Sequence, residues 1–180
     1  MGGTLLGLFA ERWFQRLGKI RCTFGELYVF TYNTSGVEHK GGLPVDRKAL
    51  EGLASEVGAH YEINVKLFNE KYASTGLRDV VLQFVSADGS VVLEDSPDVS
   101  EVSGERGAPT QIDASNIRFA DPAKPSVTEV VNFPSREWVN LTISGGIYGG
   151  AAKKLADCDR ARLKGYYPSG KKFVEDVPVG

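Results

Sequence analysis

Four arrangements in this sequence could do chemistry: a glycine-rich run, two cysteines with two histidines, a cluster of carboxylates, and a basic, aromatic C-terminal stretch. The run Ser144-Gly145-Gly146-Ile147-Tyr148-Gly149-Gly150-Ala151-Ala152-Lys153-Lys154 follows a strand-like segment, where backbone N–H groups can cradle phosphate. A P-loop needs Lys and then Ser or Thr directly after its last glycine, and here Ala151 and Ala152 intervene. A dinucleotide site needs a strand–helix–strand unit and an acidic residue about twenty positions on, and neither follows. The run therefore reads as a flexible loop.

His39 and His60 are isolated from one another, and a zinc site with Cys22 and Cys158 would require four distant segments to converge. No metal or cofactor is expected. Two cysteines are too few for a disulfide framework, and free buried thiols suit the reducing compartment that a chain without a signal-like leader implies. Sequence alone leaves open whether Cys22 and Cys158 meet. The carboxylates of Glu94, Asp95, Asp98, Glu101 and Glu105 lack the alternating spacing that wraps oxygens around calcium, so they read as a solvated excursion between strands. Arg160, Arg162, Lys164, Tyr166, Tyr167, Lys171, Lys172 and Phe173 are side chains of the kind that bind single-stranded nucleic acid. Period-two alternation, however, turns Arg160, Arg162 and Lys164 outward while Ala161 and Leu163 turn inward. That is the pattern of an exposed edge strand protected by charge. The basic edge stands as an interaction candidate, and nucleic acid is not expected as a partner.

The elements that must position these residues are mostly strands. Residues 4–17 are the exception. At helical spacing Leu5, Leu6, Phe9, Ala10, Trp13, Phe14 and Leu17 fall on one half of the wheel, with Glu11, Arg12 and Gln15 opposite and Gly18 placed to end the helix. Leu6, Phe9, Trp13 and Leu17 form its candidate interaction face. After Gly18 the period becomes two: Ile20, Cys22 and Phe24, then a β-rich stretch Leu27–Tyr32. A Gly-rich polar connection spans Asn33–Pro44, and Asp46 could cap a short second helix reaching about Val57. Tyr61, Ile63, Val65 and Leu67 alternate with polar residues. Val80–Val85, Val91–Leu93, Val139–Ile143, Ala161–Tyr167 and Lys172–Val177 read as further strands, with Ile112–Phe119 and Val127–Val131 as weaker ones. Asp88-Gly89 marks a hairpin turn.

Three segments resemble the strand ends and turns of immunoglobulin-like sandwiches: Ile63-Asn64-Val65-Lys66-Leu67-Phe68-Asn69, Thr75-Gly76-Leu77-Arg78-Asp79-Val80, and Phe133-Pro134-Ser135-Arg136-Glu137-Trp138-Val139-Asn140-Leu141. A short helix followed by such a sandwich resembles small uncharacterised bacterial proteins. The antibody-type Cys…Trp…Cys spacing is absent. The expected architecture is a mainly β, immunoglobulin-like antiparallel sandwich of about 7–9 strands over residues 19–180, preceded by an amphipathic helix in residues 1–18.

A chain of 180 residues with 42% hydrophobic content can bury a core without metal or disulfide help. Its net charge of −2 is uneven: residues 1–21 carry +3 and the remainder −5. No segment is long and apolar enough to span a bilayer. The functional expectation is a non-enzymatic cytoplasmic interaction module that binds a protein partner or a second copy of itself. Two alternatives stand: peripheral membrane association through the N-terminal helix, and a carbohydrate-binding or hydrolytic sandwich using Trp138, Tyr148, Tyr166 or Tyr167 as an aromatic platform.

Overall fold

The computed structural model describes residues 18–33, 36–51, 58–101 and 131–179. The N-terminal helix read from the sequence, with Leu6, Phe9, Trp13 and Leu17, lies outside the described residues, as do residues 112–119. Within them the chain is mainly β, two antiparallel sheets closing on one apolar core.

Two 11-residue strands organise the fold, β4 (Ala59–Asn69) in one sheet and β5 (Thr75–Val85) in the other. In β4 the side chains of Tyr61, Ile63, Val65 and Leu67 are buried, whereas Asn64 and Lys66 face solvent, as period-two alternation dictates. The first sheet runs β3 (Gly36–Gly41), β2 (Tyr28–Asn33), β4, β9 (Trp138–Ile147) and β7 (Asp98–Glu101). β1 (Ile20–Phe24) continues the line of β2 along the same edge of β4, displaced by one residue of register. At that break Gly25 N–H still reaches the Asn64 carbonyl at 2.7 Å. Leu27 instead donates its N–H to the Pro178 carbonyl at 3.0 Å, and so stitches the two sheets together.

The second sheet runs β11 (Lys172–Val177), β10 (Arg160–Tyr166), β5 and β6 (Val91–Asp95), with β8 (Val131–Phe133) on the first residues of β5. The predicted turn between β5 and β6 forms. Gly89 takes φ +91°, and Asp88 accepts hydrogen bonds from Ser90 N–H and the Ser86 hydroxyl, which hold its carboxyl down at about 2. The α1 helix (Arg47–Glu51) begins where expected, with Asp46 capping Lys48 N–H at 2.9 Å. It packs beside a 3₁₀ helix (Gly149–Asp157), and Arg47 reaches Asp157 at 2.9 Å.

Eleven strands stand among the described residues, against the seven to nine expected. Three segments read as loops are ordered by their neighbours. Gly36–Gly41 is an edge strand held by the β2 ladder, with almost no apolar pattern of its own. Asp98–Glu101 in the acidic stretch pairs with β9. The glycine-rich run is not a loop: its first residues complete β9 and the rest form the 3₁₀ helix. Gly145 has no room for a side chain, because a Cβ there would sit 2.6 Å from Asp95 Oδ2 and against the Tyr61 hydroxyl.

Candidate functional site

β4 and β5 are joined by residues 70–74, and β8 and β9 by residues 134–137. One buried side chain holds both turns. Asn69, the last residue of β4, is 1% exposed. Its Nδ2 donates toward the carbonyls of Ala73 (3.0 Å), Phe133 (3.1 Å) and Pro134 (3.0 Å), and its Oδ1 accepts Lys71 N–H at 3.1 Å. The backbones add reciprocal bonds: Asn69 N–H to the Glu137 carbonyl, and Arg136 N–H to the Asn69 carbonyl at 2.9 Å. The Ser135 hydroxyl closes on the Lys71 carbonyl at 3.1 Å. Arg136 is held at φ +60°, a left-handed conformation that costs a non-glycine residue about 1–2 kcal/mol.

The most exposed large hydrophobic side chains among the described residues are Tyr72, in the first turn, at 61%, and Trp138, the first residue of β9 after the second turn, at 59%. Arg136 lies 4.9 Å over the Tyr72 ring, and Trp138 rests on Phe68 with centroids 5.0 Å apart. Lys71 reaches over Tyr167, 5.2 Å from its ring, where the β10–β11 turn arrives. Cations therefore alternate with aromatic rings across one end of the sandwich. Burial, with the neighbouring Cys22 and then Glu175 contributing less, pushes the Tyr167 hydroxyl up to about 12, so it stays a neutral donor.

The chain enters the described structure at this same end. Gly18 (φ +108°) lies so close to the β4–β5 turn that a Cβ would meet the Glu70 backbone at 2.8 Å. Lys19 and Glu70 exchange hydrogen bonds, and Arg21 pairs with the Glu70 carboxylate.

The basic residues singled out in the sequence sit elsewhere. Arg160, Arg162 and Lys164 are on β10, which is not an edge strand. It lies between β5 and β11, so its backbone is fully engaged. Their charges belong to a polar row across the sheet: Arg162 Nε lies 3.0 Å from Asp176, Lys164 lies 3.9 Å from Glu94, and Arg160 donates to the Ala87 carbonyl at 3.3 Å. Period two gave the outward face correctly. The partners on β11 and β6 were hidden by sequence distance.

The cysteines are both free. Burial pushes the Cys22 thiol up to about 12 and that of Cys158 to about 11, with nearby carboxylates adding to each. His60 is half-buried on β4 beside Phe30, and burial lowers its pKa despite Glu62 and the Gly145 backbone. His39 falls on β3, and its side chain lies outside the described ones. Among the described residues no three of His, Cys, Asp and Glu gather where they could hold a metal ion. The aromatic residues suggested as a platform separate: Trp138 and Tyr167 belong to the Asn69 end, whereas Tyr148 lies past the far end of β9. No helix among the described residues is long and apolar enough to cross a membrane.

Of these residues the sequence singles out Trp138 alone; Asn69 and Arg136 fall inside the segments that carry the resemblance without a role of their own, and Tyr72 falls in none of them. The signal was an Asn closing an alternating strand directly before a turn. Comparison with protein-family models, curated proteins and solved structures gives no match.

Proposed function

We propose that this chain is a non-enzymatic recognition module, an immunoglobulin-like sandwich that binds its partner through the end carrying Tyr72, Arg136 and Trp138. The strand pairing supports the wiring. β1–β4–β9–β7 follow the order A–B–E–D, and β11–β10–β5–β6 follow G–F–C with a C′ strand added. With that assignment residues 70–74 are the B–C loop and 167–171 the F–G loop, two of the loops with which such sandwiches contact their ligands.

The observation that carries the reading is the pre-ordered pair of exposed aromatics. Exposing two large rings to water is unfavourable, and here Tyr72 stands on a turn fixed by a buried hydrogen-bond hub while Trp138 opens β9 directly after the other turn that the hub holds. Trp, Tyr and Arg are the residue types that dominate binding hot spots, and rigid turns reduce the entropy lost on association.

A photo-crosslinking residue installed at position 72 in the native host tests this directly. It captures a protein or lipid partner that the same residue at Val174, exposed on β11, does not. Equal or absent capture at both positions refutes the reading.

A further inference from the structure

We infer that the partner of this end is an acidic protein segment, an extended stretch in which Asp or Glu side chains flank a large apolar one. The inference rests on the reading of the Asn69 end as the binding surface and supplies the chemistry of its ligand. The chain carries a net charge of −2, but this end has the opposite sign. Its three turns and the entering strand bear Lys19, Arg21, Lys71, Arg136 and Lys171, with Glu70 and Glu137 as the acids. Glu70 pairs with Arg21, which leaves four cations against Glu137. A field of that sign steers an anionic partner to the tip and disfavours a basic one.

Those cations also differ from the others in what they touch. Along the strands Arg78, Arg162 and Lys164 face the carboxylates of Asp79, Asp176 and Glu94. At the tip Lys71 and Arg136 lie over the rings of Tyr167 and Tyr72 instead, and neither has a carboxylate within salt-bridge distance among the described residues. Arg136 is exposed, so its guanidinium keeps N–H groups that can take a carboxylate through two parallel hydrogen bonds. Its left-handed backbone, tied to the Asn69 carbonyl, holds that fork in place before a ligand arrives. Glu137 stands exposed beside it in the same turn. A nucleic-acid backbone with a phosphate at every nucleotide, or an anionic bilayer, meets that carboxylate along with the cations, whereas a peptide can set a neutral or basic side chain against it. Tyr72, and Trp138 tilted at 35° on Phe68, offer apolar contact to the large residue between the acids.

Random peptides displayed on phage are selected in parallel on the whole chain and on K71E/R136E, which reverses the sign of two cations. On the unaltered chain the enriched peptides carry Asp and Glu in excess of the starting library, beside a large apolar residue. On K71E/R136E that excess disappears. A synthetic copy of an enriched acidic peptide binds less tightly as salt rises. K71Q/R136Q weakens it by roughly 10-fold, about threefold per exposed cation, with the unfolding temperature unchanged. No acidic excess, or the same excess on K71E/R136E, overturns the proposal. So does oligothymidylate that binds the tip more tightly than the peptide, or self-association of the chain that K71E/R136E abolishes, because a nucleic acid or a second copy is then the occupant. If the acidic excess is absent while the crosslinker at position 72 captures a protein, the recognition reading stands and its acidic partner falls. If position 72 captures nothing as well, both fall.

Discussion

Asn69→Ala removes the one side chain that holds two turns together, and its effect can be worked from the hydrogen bonds that the amide makes. It offers two N–H donors to three carbonyls at 3.0–3.1 Å and one acceptor to Lys71 N–H. The Phe133 carbonyl is buried, so leaving it without a donor costs about 1–3 kcal/mol, while Ala73, Pro134 and Lys71, which water reaches more easily, lose about 0.5–1 kcal/mol each. The total is about 2.5–6 kcal/mol, a large share of the margin on which a domain stands. In a chain of this size it lowers the unfolding temperature by roughly 10 °C. Asn69→Asp has the same shape and keeps the Lys71 bond, but it turns a carboxylate toward three carbonyl oxygens, so it is the worse substitution near neutral pH. Its carboxyl is raised in the folded state. That stability is present below the unfolded carboxylate value and lost as pH rises, so the gap between Asn69→Asp and Asn69→Ala narrows as pH falls toward about 4. Urea unfolding of the three proteins at two pH values reads this directly, with crosslinking at position 72 as the functional readout. A loss below about 1 kcal/mol for Asn69→Ala, or Asp tolerated better than Ala at neutral pH, refutes the hub.

Gly145→Ala pushes a Cβ against Asp95 and Tyr61 and costs about 1–3 kcal/mol, whereas Gly150→Ala, with open space around it, is neutral or slightly stabilising in the same thermal unfolding assay. Burial holds His60 below its ordinary pKa, so the unfolded chain binds the extra proton first. Stability therefore declines as pH falls through about 6.5, and the decline is smaller in His60→Gln when urea midpoints at about pH 7.5 and 5.5 are compared. With thiols raised to about 12 and about 11, the native protein reacts with a thiol reagent near pH 8 at least roughly 100-fold more slowly than the unfolded protein, and labelling complete within minutes would contradict the burial.

The strands that were legible are those whose two faces see different solvents. β4 alternates because one face meets the core and the other water, and the Asp88-Gly89 turn carries its own chemistry, so both could be read from neighbouring residues alone. β3, β7 and the end of β9 owe their conformation to a ladder on an adjacent strand, and Gly145 owes its identity to Tyr61 across that ladder. No local pattern records those dependences. The same limit explains the basic strand. Arg160, Arg162 and Lys164 have the alternation of a charged edge, and only the sheet order reveals Asp176 and Glu94 beside them.

Asn69 is the sharpest case. In sequence it is an ordinary turn former at a strand end, one of the commonest positions for asparagine. It becomes a hub because Phe133 and Pro134, 64 and 65 residues further along, deliver their carbonyls to it. That delivery is a matter of register. β8 pairs Phe133 with Thr75, and β9 pairs Trp138 with Phe68, so the turn between them must pass over residue 69. Tyr72 stands out on the turn that Asn69 clamps, whereas Trp138, the first residue of β9, takes the outward side of that strand's alternation and rests on Phe68. The hydrogen bonds of Asn69 fix the turns that carry Tyr72 and lead into Trp138, which is why substitution of Asn69 and substitution of the rings should converge on one loss of binding.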